Sequence, residues 1–260
     1  MTRPIIILTA SIITVAFAIF ALNSVDREVD DREPLVLFCA ASNRAVIERV
    51  CKEFEAATGT QVQTQFGASQ TLLSSIEISQ TGDLYLPADD SYLELASQRS
   101  LVTTQRPVAK MKATVAVRKG NPKSIQSFED LLQPDIRLVQ ASPDAAAIGK
   151  VVRDHLTQSK RWDSLEQATL AFRSSVTDVA NDLVIGSADA GIVYDGLMYS
   201  YPDLQAIDLP ELDGVTSRVS IGLLRFAKNP ETATQFMNFL TDGNGGLKHY
   251  AAHGFDVAQP

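Results

Sequence analysis

Ser42 and Ser69 are the residues whose setting points to chemistry. Each closes an apolar or alternating run, Leu35-Val-Leu-Phe-Cys-Ala-Ala-Ser42 and Gln63-Thr-Gln-Phe-Gly-Ala-Ser69, and each stands where a helical pattern begins. A strand-to-helix turn of this kind aims free backbone N–H groups and a hydroxyl at one spot, which is a way to hold an oxyanion. Two such turns within about thirty residues of chain predict a single shared site. A serine at a helix start is also an ordinary N-cap, worth about 1 kcal/mol. The pairing, more than either serine alone, therefore carries the prediction. A third strand-to-helix step, residues 137–142 into a helix over 145–159, repeats the pattern.

Other chemistries find less support. A hydrolytic Ser42 needs a histidine and an acid, but His155 falls mid-helix, His249 and His253 lie near the C-terminus, and no Gly-x-Ser-x-Gly elbow occurs. A secreted serine hydrolase ranks last, so no catalytic residue is assigned. His249 and His253 stand at His-x-x-x-His spacing, but no clustered His and Asp accompany them, so no metal site is predicted and no cofactor is expected. The formal charge is −8, which disfavours nucleic acid as a partner and repels anions at long range. An anionic ligand must then be held by local dipoles and hydrogen bonds.

These turns need a scaffold that brings their ends together. Strands are predicted at 36–40, 61–66, 83–89, 113–118, 137–142, 190–194 and 218–224. Helices are predicted at 45–57, 69–79, 92–98, 145–159, 231–240 and 247–252, with short helical turns at 127–132 and from Asp178 to Ile185. Gly59 and Gly186 supply stops. Alternating strands and helices imply parallel pairing with helices on both faces. The chain builds one lobe, crosses near Lys110, and returns near Ser220. The predicted division is 35–110 plus 221–260 for lobe one and 111–220 for lobe two, with the ligand in the cleft between them.

The N-terminal segment stands apart. Residues 5–22 are uncharged and follow Arg3, so residues 1–25 read as a signal peptide or an N-terminal membrane anchor, and 26–34 as a linker. The body is expected outside the cytoplasm, in contact with the membrane only through that segment. Cys39 and Cys51 are read either as a disulfide or as two buried thiols, with buried thiols favoured.

The chain resembles the periplasmic molybdate-binding proteins of ABC importers, within the larger group of two-lobed solute-binding proteins. The resemblance rests on Phe38-Cys-Ala-Ala-Ser42, Phe54-Glu-Ala-Ala-Thr-Gly-Thr-Gln-Val62, Phe66-Gly-Ala-Ser-Gln-Thr-Leu72, Gly82-Asp-Leu-Tyr-Leu-Pro-Ala-Asp89, Gly186-Ser-Ala-Asp-Ala-Gly-Ile-Val-Tyr194 and His253-Gly-Phe255. It implies an α/β two-lobed periplasmic-binding-protein fold, each lobe a mostly parallel sheet flanked by helices. It also implies a monomer that is not an enzyme, captures molybdate or tungstate, and delivers it to ABC permease subunits. The implied ligand-binding residues are the Ser42 and Ser69 hydroxyls, the Ile148 and Val179 backbone amides and the Tyr194 hydroxyl. Asn43 and Arg44 depart from the family pattern, and Lys150 lies close to the third helix start. Either cation in the cleft would change the choice of anion, so binding of sulfate or another oxyanion stays open, as does a membrane-anchored anion sensor. Asp178 is read as a helix cap that turns its carboxylate onto its own helix start.

Overall fold

In the computed structural model, described here for residues 33–257, the apolar run Leu35–Ala40 becomes strand β1. The signal-or-anchor segment 1–25 and most of the linker 26–34 lie outside the described residues. Helix α1 (Arg44–Thr58) buries Val46, Ile47, Val50, Cys51 and Phe54 at helical spacing and ends on Gly59, whose φ of 75° suits a residue without Cβ. Strand β2 (Val62–Gly67) and strand β3 (Leu84–Leu86) pair in parallel with β1, one on each side. Helix α2 (Ser69–Ser79) joins β2 to β3, and helix α3 (Ser91–Gln98) follows.

Strand β4 (Val102–Arg118) is far longer than the predicted 113–118. Its first half, Thr-Thr-Gln-Arg-Pro-Val-Ala-Lys-Met-Lys, mixes polar residues with Pro107 and so hides the strand period. After helix α4 (Phe128–Leu131), strand β5 (Leu138–Ala141) leads into α5 (Ala147–Gln158), then α6 (Trp162–Ala168), β6 (Thr169–Arg173), α7 (Val176–Ile185) and β7 (Ala190–Tyr194). Strand β5 pairs in parallel with both β6 and β7, repeating the arrangement around β1. The chain continues through β8 (Leu204–Ile207), β9 (Thr216–Leu224), α8 (Pro230–Leu240), α9 (Leu247–Ala252) and β10 (Asp256–Val257). Sequence patterning missed α6, β6, β8 and β10, which are short or carry mixed polarity.

Strand β4 unites the two parallel groups. It pairs antiparallel with β9 from Val102 to Lys112, then with β7 from Ala113 to Val117, so that the strand order is β2-β1-β3-β9-β4-β7-β5-β6. From Pro34 onward the chain clusters as one compact unit. Each parallel group also carries a buried aspartate that ties its strands together. Asp83 Oδ2 accepts from the Val36 amide at 2.7 Å while its Oδ1 accepts from Lys228 at 2.9 Å. Asp189 does the same at Arg137, accepting from the backbone amide at 3.0 Å and from the guanidinium at 2.7 Å. The guanidinium hydrogen bond holds the Asp189 carboxyl below the ordinary carboxylate range.

Cys39 and Cys51 are free and buried. Burial pushes the Cys51 thiol up to about 11 and that of Cys39 well above its ordinary value, so both stay protonated and pack as small apolar groups. Among the described residues no helix is long and apolar enough to cross a membrane.

Candidate functional site

The carboxyl ends of β1, β2 and β7 converge on a small cavity of about 20 Å³. Its walls come from Ala40–Ser42 after β1, Gly67–Ser69 after β2, Ala146–Ile148 at the start of α5, Ser175 and Val176 at the start of α7, and Ala88 and Tyr194. No charged side chain lines it. Four helical starts meet there: a 3-10 turn at Ala41–Asn43, α2, α5 and α7. The first amides of all four lack an acceptor within their own helix, and among these only α7 has a side-chain cap.

Ser42 Oγ is buried and has no hydrogen-bond partner among the described residues. Leaving a hydroxyl in that state costs about 1 to 3 kcal/mol, a cost that a bound acceptor removes. Ser69 is arranged differently. Its Oγ accepts from the Ala88 amide at 3.1 Å, which occupies a lone pair and leaves the hydroxyl hydrogen available to a ligand. Tyr85 Oη donates to the Ser69 carbonyl at 2.8 Å and fixes the backbone there. The segment Asp83-Leu-Tyr-Leu-Pro-Ala88 thus serves the serine from behind.

On the opposite wall, Ile148 is the second residue of α5 and is 2% exposed, and its amide has no acceptor within the helix. Gly149 lets this helix start lie against the end of β5: a Cβ there would come within 2.3 Å of the Ala141 carbonyl oxygen. Val179 does not join the cavity, contrary to expectation. It sits a full turn inside α7, where its amide donates to the Ser175 carbonyl at 3.4 Å. The residue that faces the cavity is Val176, first in the helix and without a helical acceptor for its amide.

The cap of α7 is Ser175, not Asp178. Ser175 Oγ accepts from the Asp178 amide at 3.2 Å, while the Asp178 carboxylate accepts from the Ser175 amide at 3.1 Å. The signal was present in the sequence as Ser175-Val-Thr-Asp178, a capping box that places the first free amide at Val176. As expected, the negative charge of Asp178 is turned onto its own helix start. Tyr194, at the end of β7, is 1% exposed, and its Oη lies 2.8 Å from Ser217 Oγ. Burial pushes its phenol well above the ordinary tyrosine range, so it stays a neutral hydroxyl.

The whole cavity offers hydroxyls and backbone N–H groups without a counter-charge. Residues 35–256 match the family described as bacterial extracellular solute-binding protein. The chain belongs to that family. The molybdate-binding protein ModA of Mycobacterium tuberculosis is 28% identical over 221 residues, covering 81% of this chain and 80% of that protein. Among solved structures, the sulfate-binding protein SubI of Mycobacterium tuberculosis matches with a TM-score of 0.76 at 20% identity, covering 88% of each chain. The periplasmic molybdate-binding protein of Azotobacter vinelandii matches with a TM-score of 0.74 at 17% identity, covering 86% of this chain and 100% of its own. At those identities the two structures speak for the fold, which is the two-lobed fold of periplasmic binding proteins.

In this solute-binding protein both cations near the helix starts lie outside the cavity wall. The Arg44 guanidinium stacks 3.8 Å from the Phe66 ring centroid and pairs with Glu48 at 3.4 Å. Lys150 pairs with Asp154 at 2.9 Å. Asn43 is fully buried and turns its Oδ1 to the Tyr250 hydroxyl at 3.2 Å, linking the first turn to α9. The Gln70 amide donates to the Ala145 carbonyl at 3.3 Å, which ties the start of α2 to the loop before α5. Among the described residues no group of three or more His, Cys, Asp or Glu is placed to hold a metal ion.

Proposed function

We propose that this chain is an extracytoplasmic solute-binding protein that captures a tetrahedral oxyanion, molybdate or tungstate, and hands it to the permease subunits of an ABC importer. The buried, unpaired Ser42 hydroxyl in a cavity free of charged side chains is the observation that carries this function. The name of the mycobacterial relative supports molybdate as the cargo. The donors are the Ser42 and Ser69 hydroxyls, the Ile148 and Val176 amides and the Tyr194 hydroxyl. Lobe one, 35–110 with 221–260, and lobe two, 111–220, close over the anion as a monomer, and the joined lobe surface meets the permease. No bond is made or broken. A shell of amides and hydroxyls without a carboxylate disfavours protonated phosphate, because its O–H meets no charged acceptor.

Sulfate is the second candidate, favoured by the fit to the SubI structure. Calorimetric titration of the protein with molybdate, tungstate, sulfate and phosphate decides the matter. Heat from molybdate and tungstate, with weaker sulfate binding and none for phosphate, is the expected outcome. Silence from all four overturns the function, and tightest binding of sulfate reassigns the cargo.

A further inference from the structure

We infer that Ser217 is a positioning residue that makes Tyr194 a hydrogen-bond donor to the bound anion. Its role presupposes the oxyanion function proposed above. Ser217 lies on β9, is fully buried, and is absent from the cavity wall, which Tyr194 lines. The two hydroxyls reach each other across β4: Met111 pairs with Ser217 on one side and Ala113 with Tyr194 on the other. Met111 and Ala113 are two residues apart, so their partners share one face of the sheet.

The 2.8 Å contact between Tyr194 Oη and Ser217 Oγ can run in either direction. If Tyr194 donates, the Ser217 hydrogen has no acceptor among the described residues and the tyrosine turns a lone pair towards the anion. If Ser217 donates, both hydrogens are used, one on the tyrosine oxygen and one on the anion, and the chained hydroxyls polarise each other. A dianion in the cavity selects the second arrangement. The strand that crosses between the two halves of the sheet therefore sets the proton direction at the ligand.

A double-mutant cycle read by molybdate titration tests this. In the wild-type background Ser217→Ala is expected to weaken molybdate binding about three- to tenfold, and Tyr194→Phe about ten- to a hundredfold. In the Tyr194→Phe background Ser217→Ala is expected to change nothing, because Ser217 acts only through the phenol. Ser217→Cys, similar in size with a weaker S–H donor, is expected to bind between wild type and Ser217→Ala. An equal loss from Ser217→Ala in both backgrounds, or no loss in wild type, overturns the role of Ser217 and leaves the oxyanion function standing. A wild-type protein that binds none of molybdate, tungstate, sulfate and phosphate removes the function itself.

Discussion

Ser42 and Ser69 occupy equivalent turns but are satisfied differently, and this separates the effects of removing them. Ser42→Ala deletes a buried hydroxyl that has no partner among the described residues, so the melting temperature of the free protein is expected to hold or rise. Molybdate affinity is expected to fall by about 1 to 3 kcal/mol, since the lost bond goes to a charged acceptor. Ser69→Ala also strands the buried Ala88 amide, so it is expected to lower folding stability by about 1 to 3 kcal/mol in addition to affinity. Calorimetry and thermal denaturation on the two variants check this. An unchanged affinity in both would reduce them to helix-start residues. Both serines were legible in the sequence because strand, small residues and helix follow one another within each segment. The hydrogen-bond state of each was not, because Ala88 reaches Ser69 through a fold contact rather than through chain proximity.

At the level of elements, the cavity depends on where helices begin. Gly149→Ala would drive a Cβ into the Ala141 carbonyl and push α5 away from β5. It is expected to destabilise the protein by about 1 to 3 kcal/mol and to weaken molybdate binding, because the Ile148 amide moves with the helix. Urea denaturation and titration measure the two effects, and an unaffected affinity would argue against Ile148 as a donor. Ser175→Ala breaks the α7 capping box and is expected to cost about 1 kcal/mol of stability. Periodicity found α2, β7 and α9 at their observed bounds, whereas the family resemblance pointed to Val179, one turn past Val176, which lines the cavity. Helical period locates a face; only the cap locates the first free amide. The first half of strand β4 escaped because Pro107 and its polar neighbours obscure alternation in a strand that is held by two different partners along its length.

Across the whole molecule, Tyr85, Tyr194 and Tyr250 are buried phenols whose titration is pushed well above the ordinary range by desolvation. In the unfolded chain they ionise near 10, so above about pH 10 the unfolded state releases protons that the folded state keeps. Their contribution to stability is therefore complete below that pH and is lost as pH rises towards the folded values. The urea midpoint is expected to hold from pH 7 to about 8, to begin falling as the Cys39 and Cys51 thiols ionise in the unfolded chain, and to fall more steeply above about pH 10. A flat profile through pH 11 would contradict their burial. Molybdate at a hundred times its dissociation constant is expected to raise unfolding free energy by about 2.7 kcal/mol, because the unfolded chain has no assembled cavity. A melting temperature that does not move with added molybdate counts against that assembly.

Taken by itself, the sequence determined local matters: which segments are strands or helices, which serines stand at helix starts, and that an acidic chain must hold an anion without long-range attraction. The first two are set by residues within a few positions of each other, and the last by a sum over the chain. The tertiary structure alone decided which groups meet, because the cavity gathers residues from 40 to 194 and its tyrosine is partnered from β9. It also decided that Arg44 and Lys150 are spent on Phe66, Glu48 and Asp154 rather than on the ligand. Whether a cation lines a cavity depends on which faces of distant helices pack together, and no local spacing records that.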